Sequence, residues 1–173
     1  MSDKNHDGPL LFCFDGSDDA TNAIAEAARL LGPRPAVVVT VREPIELWTP
    51  YDPATILDAG IAKLAAKPLG LDEIADEIAQ KQLDAGVELA RAAGLEAQGR
   101  VACGKPWRAI CDLADELNAA AIVLGARGLS RVQSALLGSV SAAVSVHAGR
   151  PVLIIHRDTK RQSSTAPAGR ADP

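Results

Sequence analysis

Three glycines and a serine in the segment 122–140 follow a spacing that suits phosphate binding. Gly125 and Gly128 come directly after an apolar, strand-like run, and Gly138-Ser139 precedes a helical pattern. Glycine lets a ligand approach the main chain without meeting a Cβ atom, and the free N–H groups at a helix N-terminus attract phosphate. The segment therefore predicts a site for a phosphate-bearing ligand.

The residues after the third glycine supply the polar groups of this predicted site. We expect backbone amides and two serine hydroxyls to hold the phosphates, from the run Gly138, Ser139, Val140 and Ser141. Gly125 and Gly128 would lie beside a ribose or the first phosphates. For Arg127 and Arg131, two alternatives stay open: contact with the phosphates, or ordinary exposure to solvent.

Two other nucleotide-binding patterns are not expected here. Gly99-x4-Gly104-Lys105 matches most of a P-loop, but Pro106 stands where that motif needs Ser or Thr, which removes a Mg²⁺-binding hydroxyl and an amide. The residues between its glycines also predict a strand instead of a loop. The chain contains no G-x-G-x-x-G, so a dinucleotide cofactor is not expected either.

Strands alternate with helical patterns along the chain, and this order decides where the site lies. Short apolar runs predict five buried strands, in PLLFCF, AVVVTV, LEAQGRVAC, AAAIVLG and PVLIIH. Apolar residues at helical spacing predict helices over about 20–31, 72–93, 106–118 and 137–148. With right-handed crossovers, this order predicts an α/β fold: a doubly wound, five-stranded parallel sheet in three α/β/α layers. We expect the strand order 3-2-1-4-5, in which the first and fourth strands are neighbours.

The ends and faces of the helices can also be predicted. Ser17 or Asp18 is expected to cap the first helix, Gly32 to end it, and Pro106 to lie in the first turn of the third helix. In the second helix, five apolar residues share one face and are expected to contact the sheet: Ile74, Ile78, Ala85, Leu89 and Ala92.

The predicted strand order brings a carboxylate to the glycine segment. In open α/β sheets, ligands bind outside the carboxyl ends of the strands, at the point where the strand order reverses. Asp15 ends the first strand and Gly125 ends the fourth, and these two strands are neighbours in the predicted order. We therefore expect Asp15 to face the glycine segment across this switch point.

The composition excludes several classes of protein. There are 18 basic and 22 acidic residues, a formal charge of −4, and only two Trp, one Tyr and two Phe, so a nucleic-acid partner is not expected. No apolar run is long enough to predict a membrane span, and the first residues do not resemble a signal peptide. We expect a cytoplasmic protein without a membrane partner, in which the three cysteines are free thiols.

The chain is expected to form one domain, at residues 9–157. A flexible tail is predicted at 1–8 and a disordered, polar tail at 158–173. Residues 43–71 are expected to form a long crossover, with a short helical stretch near 54–66. Trp48 and Tyr51 in this crossover would either cover the base of a ligand or pack against protein.

The glycine segment resembles a family signature. Gly125-x2-Gly128-x9-Gly138-Ser139 reproduces the G-2x-G-9x-G-(S/T) pattern of the universal stress protein family. Three further stretches are similar to that family: FDGSDDATNAIAEAARLL, GKPWRAICDLADELNAAAIVLGARG and GRPVLIIH. The resemblance covers about residues 9–157 and implies an adenine nucleotide alpha hydrolase-like, Rossmann-like fold.

Members with the full signature resemble one another in binding ATP. The resemblance therefore implies ATP as the ligand, with or without Mg²⁺, and AMP or cyclic AMP as alternatives. It places Asp15 and the main chain of Val41 at the adenosine end. The implied nucleotide-binding residues are Asp15, Val41, Gly125, Arg127, Gly128, Gly138, Ser139, Val140 and Ser141.

The resemblance also implies a stress-response homodimer that pairs through the edge strand Val152 to His156 and acts on unidentified client proteins. Apart from Asp15, no carboxylate or histidine is placed at the phosphate end, so we expect no catalytic residues and no metal-ligand set. Slow ATP hydrolysis stays open. A second hypothesis is a nucleotide-free interaction module of the same fold.

Overall fold

The structure, a computed structural model, describes residues 7–43, 71–128 and 137–157. In these ranges the strands are β1 (Leu10–Cys13), β2 (Pro35–Arg42), β3 (Glu96–Cys103), β4 (Ala121–Gly125) and β5 (Val152–Ile155). The helices are α1 (Asp18–Leu31), α2 (Leu71–Ala92), α3 (Pro106–Glu116) and α4 (Ser139–His147). The predictions for 1–6, 44–70, 129–136 and 158–173 lie outside the described residues, among them both tails, the short helix near 54–66, Trp48, Tyr51 and Arg131.

The five strands form one parallel sheet of order β3-β2-β1-β4-β5, as predicted. Leu10 of β1 lies between Ala36 of β2 and Ala121 of β4, which fixes the register of the three central strands. The residues between Gly99 and Gly104, which match part of a P-loop, belong to strand β3, as predicted. This strand pairs with β2 along its whole length. Strand β5 pairs with β4 and forms one edge of the sheet.

Each face of the sheet carries its own apolar core, because successive side chains of a strand point to opposite faces. Phe12 of β1 contributes to the core beneath α1 and α2, together with Ile24 and Val87. Leu11 contributes to the core beneath α3 and α4, together with Ile110 and Val144. The three central strands, β2, β1 and β4, are therefore largely buried on both sides, which explains their unbroken apolar sequences.

Local signals at the helix ends act as predicted. Ser17 caps α1, since its Oγ accepts a hydrogen bond from the Ala20 N–H at 3.1 Å. Gly32 ends α1 by donating its N–H to the Ala28 carbonyl at 3.0 Å. Helix α3 begins at Pro106, and α4 begins two residues after the predicted start, with Gly138 as its N-cap. None of the described helices is both long and apolar enough to cross a bilayer.

The predicted core face of α2 is wrong. The residues expected to contact the sheet are exposed, with Ile74 52%, Ile78 60% and Leu89 37% accessible; Ala85 and Ala92 are exposed as well. The face that packs on the sheet carries Ala79, Leu83, Val87 and Ala90.

Gly86 explains why α2 turns this other face inward. A Cβ atom at Gly86 would lie 2.6 Å from Cδ1 of Phe14, so only glycine lets the helix approach the end of β1 this closely. Apolar residues occur on two sides of α2, and helical periodicity does not choose between them. The position of Phe14 in the folded sheet makes that choice.

Candidate functional site

A cavity of about 380 Å³ opens at the carboxyl ends of β1, β2 and β4. This volume is within the usual range of small-molecule pockets, about 300–1,000 Å³. All nine residues predicted from the sequence line it: Asp15, Val41, Gly125, Arg127, Gly128, Gly138, Ser139, Val140 and Ser141. The fold therefore brings together residues that are more than a hundred positions apart, while their contact with a nucleotide stays a prediction.

Asp15 faces the glycine segment, as the strand order predicts. Its Oδ1 accepts a hydrogen bond from the Ser17 N–H at 3.0 Å, which fixes the carboxyl group in the turn before α1. A Cβ atom at Gly128 would overlap Oδ2 of Asp15. Glycine at this position thus leaves room for the carboxylate, in addition to any space it leaves for a ligand.

The other two glycines of the signature differ in what the fold requires of them. A Cβ atom at Gly125 would lie 2.6 Å from the backbone carbon of Asp19, so α1 packs closely against β4 only because residue 125 is glycine. A Cβ atom at Gly138 would meet nothing nearer than 3.5 Å, and its φ of −68° suits any residue. Packing therefore accounts for Gly125 by itself but leaves Gly138 without a structural requirement.

The start of α4 presents unpaired amides to the cavity. Gly138 donates its own N–H to the Ala126 carbonyl at 2.7 Å, and the first intrahelical hydrogen bond runs from the Ala142 N–H to the Gly138 carbonyl at 2.9 Å. The N-cap residue, Gly138, has no side chain that could accept a hydrogen bond from these amides. The amides of residues 139–141 therefore precede the helical hydrogen bonds, at the positive end of the helix dipole. The sequence alone counted the Gly138 amide among the free donors, whereas the fold uses it internally.

Two of the hydroxyl groups that line the cavity hold the strand ends in place. Ser141 is buried and donates its hydroxyl to the Gly125 carbonyl at 2.8 Å, which joins α4 to β4. Thr40 is buried and donates its hydroxyl to the Phe14 carbonyl at 3.0 Å, which joins β2 to the end of β1. The Ser139 side chain is exposed, so its hydroxyl is the better placed of the two predicted serines for a ligand.

Several lining residues carry no signal in the sequence. Glu43 and Gln82 add polar groups on the β2 side of the cavity, while Pro106 and Ile110 add an apolar wall from α3. They come from elements far apart in the chain and show no characteristic spacing. Only the packing of α2 and α3 against the sheet places them here.

The cavity contains a thiol that stays protonated. Cys13 lines it, and burial, with smaller contributions from the neighbouring Cys111 and Asp15, raises the pKa of the Cys13 thiol well above its ordinary value. Within the described ranges, no three His, Cys, Asp or Glu side chains form a cluster that would hold a metal ion. The charged side chains that line the described cavity are Asp15, Glu43 and the exposed Arg127, beside main-chain amides, hydroxyls and the Gln82 carboxamide.

Comparison with known proteins gives the same family that the glycine signature suggests. The model of the universal stress protein family matches residues 8–156. The universal stress protein YxiE of Bacillus subtilis is 30% identical over 150 residues, covering 84% of this chain and 97% of that protein.

Solved structures agree in fold. A universal stress protein in complex with cAMP is 27% identical, with a TM-score of 0.57 and coverage of 87% of this chain and 98% of that one. The universal stress protein of Archaeoglobus fulgidus in complex with dAMP is 25% identical, with a TM-score of 0.51 and coverage of 85% and 96%. With the sheet order, the glycine segment at the switch point and a family match across the whole domain, this chain belongs to the universal stress protein family.

Proposed function

We propose that this protein binds an adenine nucleotide, ATP, in the cavity at the switch point. The observation that carries the proposal is the N-terminus of α4, which has glycine as its N-cap, lines the same cavity as Asp15 and offers the amides of residues 139–141. Such an arrangement favours phosphate oxygens through both hydrogen bonds and the helix dipole. The complexes of two relatives with cAMP and dAMP support the choice of an adenine nucleotide.

The two ends of the cavity suit the two ends of ATP. Asp15 and the main chain of Val41 would hold the adenosine, and the helix start would hold the phosphates, with or without Mg²⁺. Arg127 is exposed on the cavity wall and would offset phosphate charge. The solved relative with cAMP makes cyclic AMP the second candidate, and AMP the third.

We further propose that nucleotide binding, not turnover, is the activity. Among the described residues that line the cavity there is no histidine, and the carboxylates are Asp15 and Glu43, which follow β1 and β2; slow hydrolysis at most is therefore expected. The protein would act in the cytoplasm as a nucleotide-responsive regulatory dimer with client proteins. Strand β5 supports the dimer, because it is a sheet edge whose residues Val152, Leu153 and Ile154 are only partly buried.

A ligand panel tests this proposal directly. Thermal unfolding would be followed with ATP, ADP, AMP and cyclic AMP, with light scattering after size exclusion on each sample. A ligand at a hundred times its Kd stabilises the native state by about 2.7 kcal/mol, which is easily measured as a rise in Tm. A rise with none of the four nucleotides would contradict the proposal and favour the nucleotide-free interaction module.

Ser139→Pro tests the helix amides without disturbing the fold. Residue 139 is the first residue of α4, where proline is favoured, and the extended Gly138 (φ −68°, ψ 157°) has the conformation that a following proline requires. The substitution removes one amide and one hydroxyl, so ATP should bind about tenfold more weakly, as expected for a lost hydrogen bond to a charged group. Ser139→Ala removes only the hydroxyl and serves as the matched control.

Unchanged ATP affinity in Ser139→Pro, with a Tm like that of the parent protein, would place the phosphates elsewhere. Weakening that is as large in Ser139→Ala would assign the effect to the hydroxyl instead of the amide. Both affinities would be measured by isothermal titration calorimetry.

A further inference from the structure

Gln82 of α2 extends over the turn that follows Asp15. Its side-chain nitrogen would lie 3.3 Å from a Cβ atom built at Gly16, and the side chain lines the cavity. Gln82 is half-buried, one residue before the fully buried Leu83. The carboxamide thus lies against the turn between β1 and α1, and Gln82 lines the same cavity as Val41 and Glu43.

The hydrogen-bonding capacity of this carboxamide is unused. Thr40 and Ser141, which also line the cavity, donate to main-chain carbonyls. Across the part of the chain that the structure describes, Gln82 has no hydrogen-bond partner. The Gln82 carboxamide is not among the buried side-chain polar groups without a partner in the described residues, so it is reached from the cavity, where a ligand can replace water as its partner. Gln82 is therefore a polar group that the fold leaves available to a ligand.

A glutamine carboxamide can distinguish purine bases. It has one acceptor oxygen and an NH₂ donor, which together match the N6 amine and N7 of adenine. Hypoxanthine and guanine carry the acceptor O6 in place of the amine, so the glutamine oxygen would face another oxygen. The apolar side chains of Val39 and Ile110 line the same cavity and would contact the faces of a flat ring.

We infer that Gln82 selects adenine over hypoxanthine and guanine by pairing with N6 and N7 of the base. This inference rests on the proposed function, because it requires a purine nucleotide in the cavity with its base at the β1–β2 side. Gln82 is then a specificity-determining residue, contributed by the helix that follows the long crossover.

The test compares ATP with inosine triphosphate, which differs from ATP only in the base, by titration calorimetry on the full chain. A bidentate pair discriminates between bases by about 1–3 kcal/mol, so the parent protein should prefer ATP about tenfold or more. Gln82→Met keeps the length and helix propensity of the side chain but removes the amide. It should lower ATP affinity to near that of inosine triphosphate and leave the latter within about twofold.

Gln80→Met is the matched control on the same helix. Gln80 is exposed and donates to the Asp84 side chain at 2.8 Å, away from the cavity, so its variant should bind both triphosphates like the parent protein. Gln82→Glu keeps an acceptor without the donor, and it should bind ATP more weakly than the parent protein. The Tm of each variant shows that it is folded.

The outcomes separate this inference from the proposed function. If the parent protein binds triphosphates but Gln82→Met keeps the parent ratio of ATP to inosine triphosphate affinity, the role of Gln82 is wrong and nucleotide binding stands. If the parent protein binds neither triphosphate, both proposals are wrong. Because Ser139→Pro acts on the phosphates, it should weaken both ligands equally and leave the ratio unchanged.

Discussion

Replacing Gly125 by alanine should destabilise the fold far more than the same change at Gly138. A Cβ atom at residue 125 would lie 2.6 Å from the Asp19 carbon and 2.8 Å from the Ala20 nitrogen, both in the backbone of α1. Ordinary carbon contacts begin near 3.4 Å, so α1 would have to move about 0.8 Å from β4. Overpacking of this kind costs about 1–3 kcal/mol, and a clash with rigid helix backbone belongs at the upper end.

The assay is thermal unfolding of the two variants beside the parent protein. In a domain of this size, 1 kcal/mol shifts Tm by about 2–4 °C, so Gly125→Ala should lower Tm by about 6–12 °C. At Gly138 the atom nearest to an added Cβ would be 3.5 Å away, so no clash arises. Alanine is a poorer N-cap than glycine, which should lower the stability by about 0.5 kcal/mol and Tm by about 1–2 °C. A Gly125→Ala protein that melts within 2 °C of the parent protein would refute the packing argument. Ligand binding would then be the remaining reason for glycine at this position.

Three further predictions concern buried polar and thiol groups. The Arg150 side chain is 3% exposed, and its guanidinium donates a hydrogen bond to the Ala119 carbonyl at 2.7 Å. Arg150→Met would leave this carbonyl without that donor and should lower the free energy of unfolding by about 2 kcal/mol. A urea midpoint equal to that of the parent protein would contradict this prediction. A disulfide reagent at pH 8 should modify the exposed Cys103 quickly and Cys13 and Cys111 slowly, because burial raises the pKa of both latter thiols; three equally fast thiols would contradict it. The unfolded chain loses the Cys13 proton near its ordinary pKa of 9.0 while the native chain keeps it, so this thiol lowers stability as pH rises through 9, and Cys13→Ala should show a smaller alkaline loss of stability.

Local signals made the helix ends and the sheet predictable. Ser17 and Gly32 mark the two ends of α1 through hydrogen bonds that depend only on near neighbours in the chain. The apolar runs and the handedness of crossovers predicted the doubly wound parallel sheet, and the strand order that we expected for it is the one observed. The inward face of α2 could not be predicted in this way, because it depends on the contact of Gly86 with Phe14, a residue in a different element.

For the candidate site, too, the sequence predicted some features, and others depended on the packed structure. The glycine spacing and the position of Asp15 at a strand end predicted most of the site, and the family resemblance added Val41; all nine predicted residues line one cavity. What each group does there was not predictable. The Gly138 amide and the Ser141 hydroxyl bond to main-chain carbonyls near the end of β4, whose positions follow from the packed sheet.

The sequence by itself determined the family and the parallel, doubly wound sheet, since these follow from the glycine signature and from the alternation of strands and helices, and it indicated where the site lies. Only the tertiary structure decided which groups remain free for a ligand. It placed Gln82 beside the turn that follows Asp15. It also showed that the packing of α1 against β4 requires glycine at residue 125, whereas no packing contact requires glycine at residue 138. The physical reason is that hydrogen bonds and close contacts between distant elements depend on distances that a residue pattern does not contain.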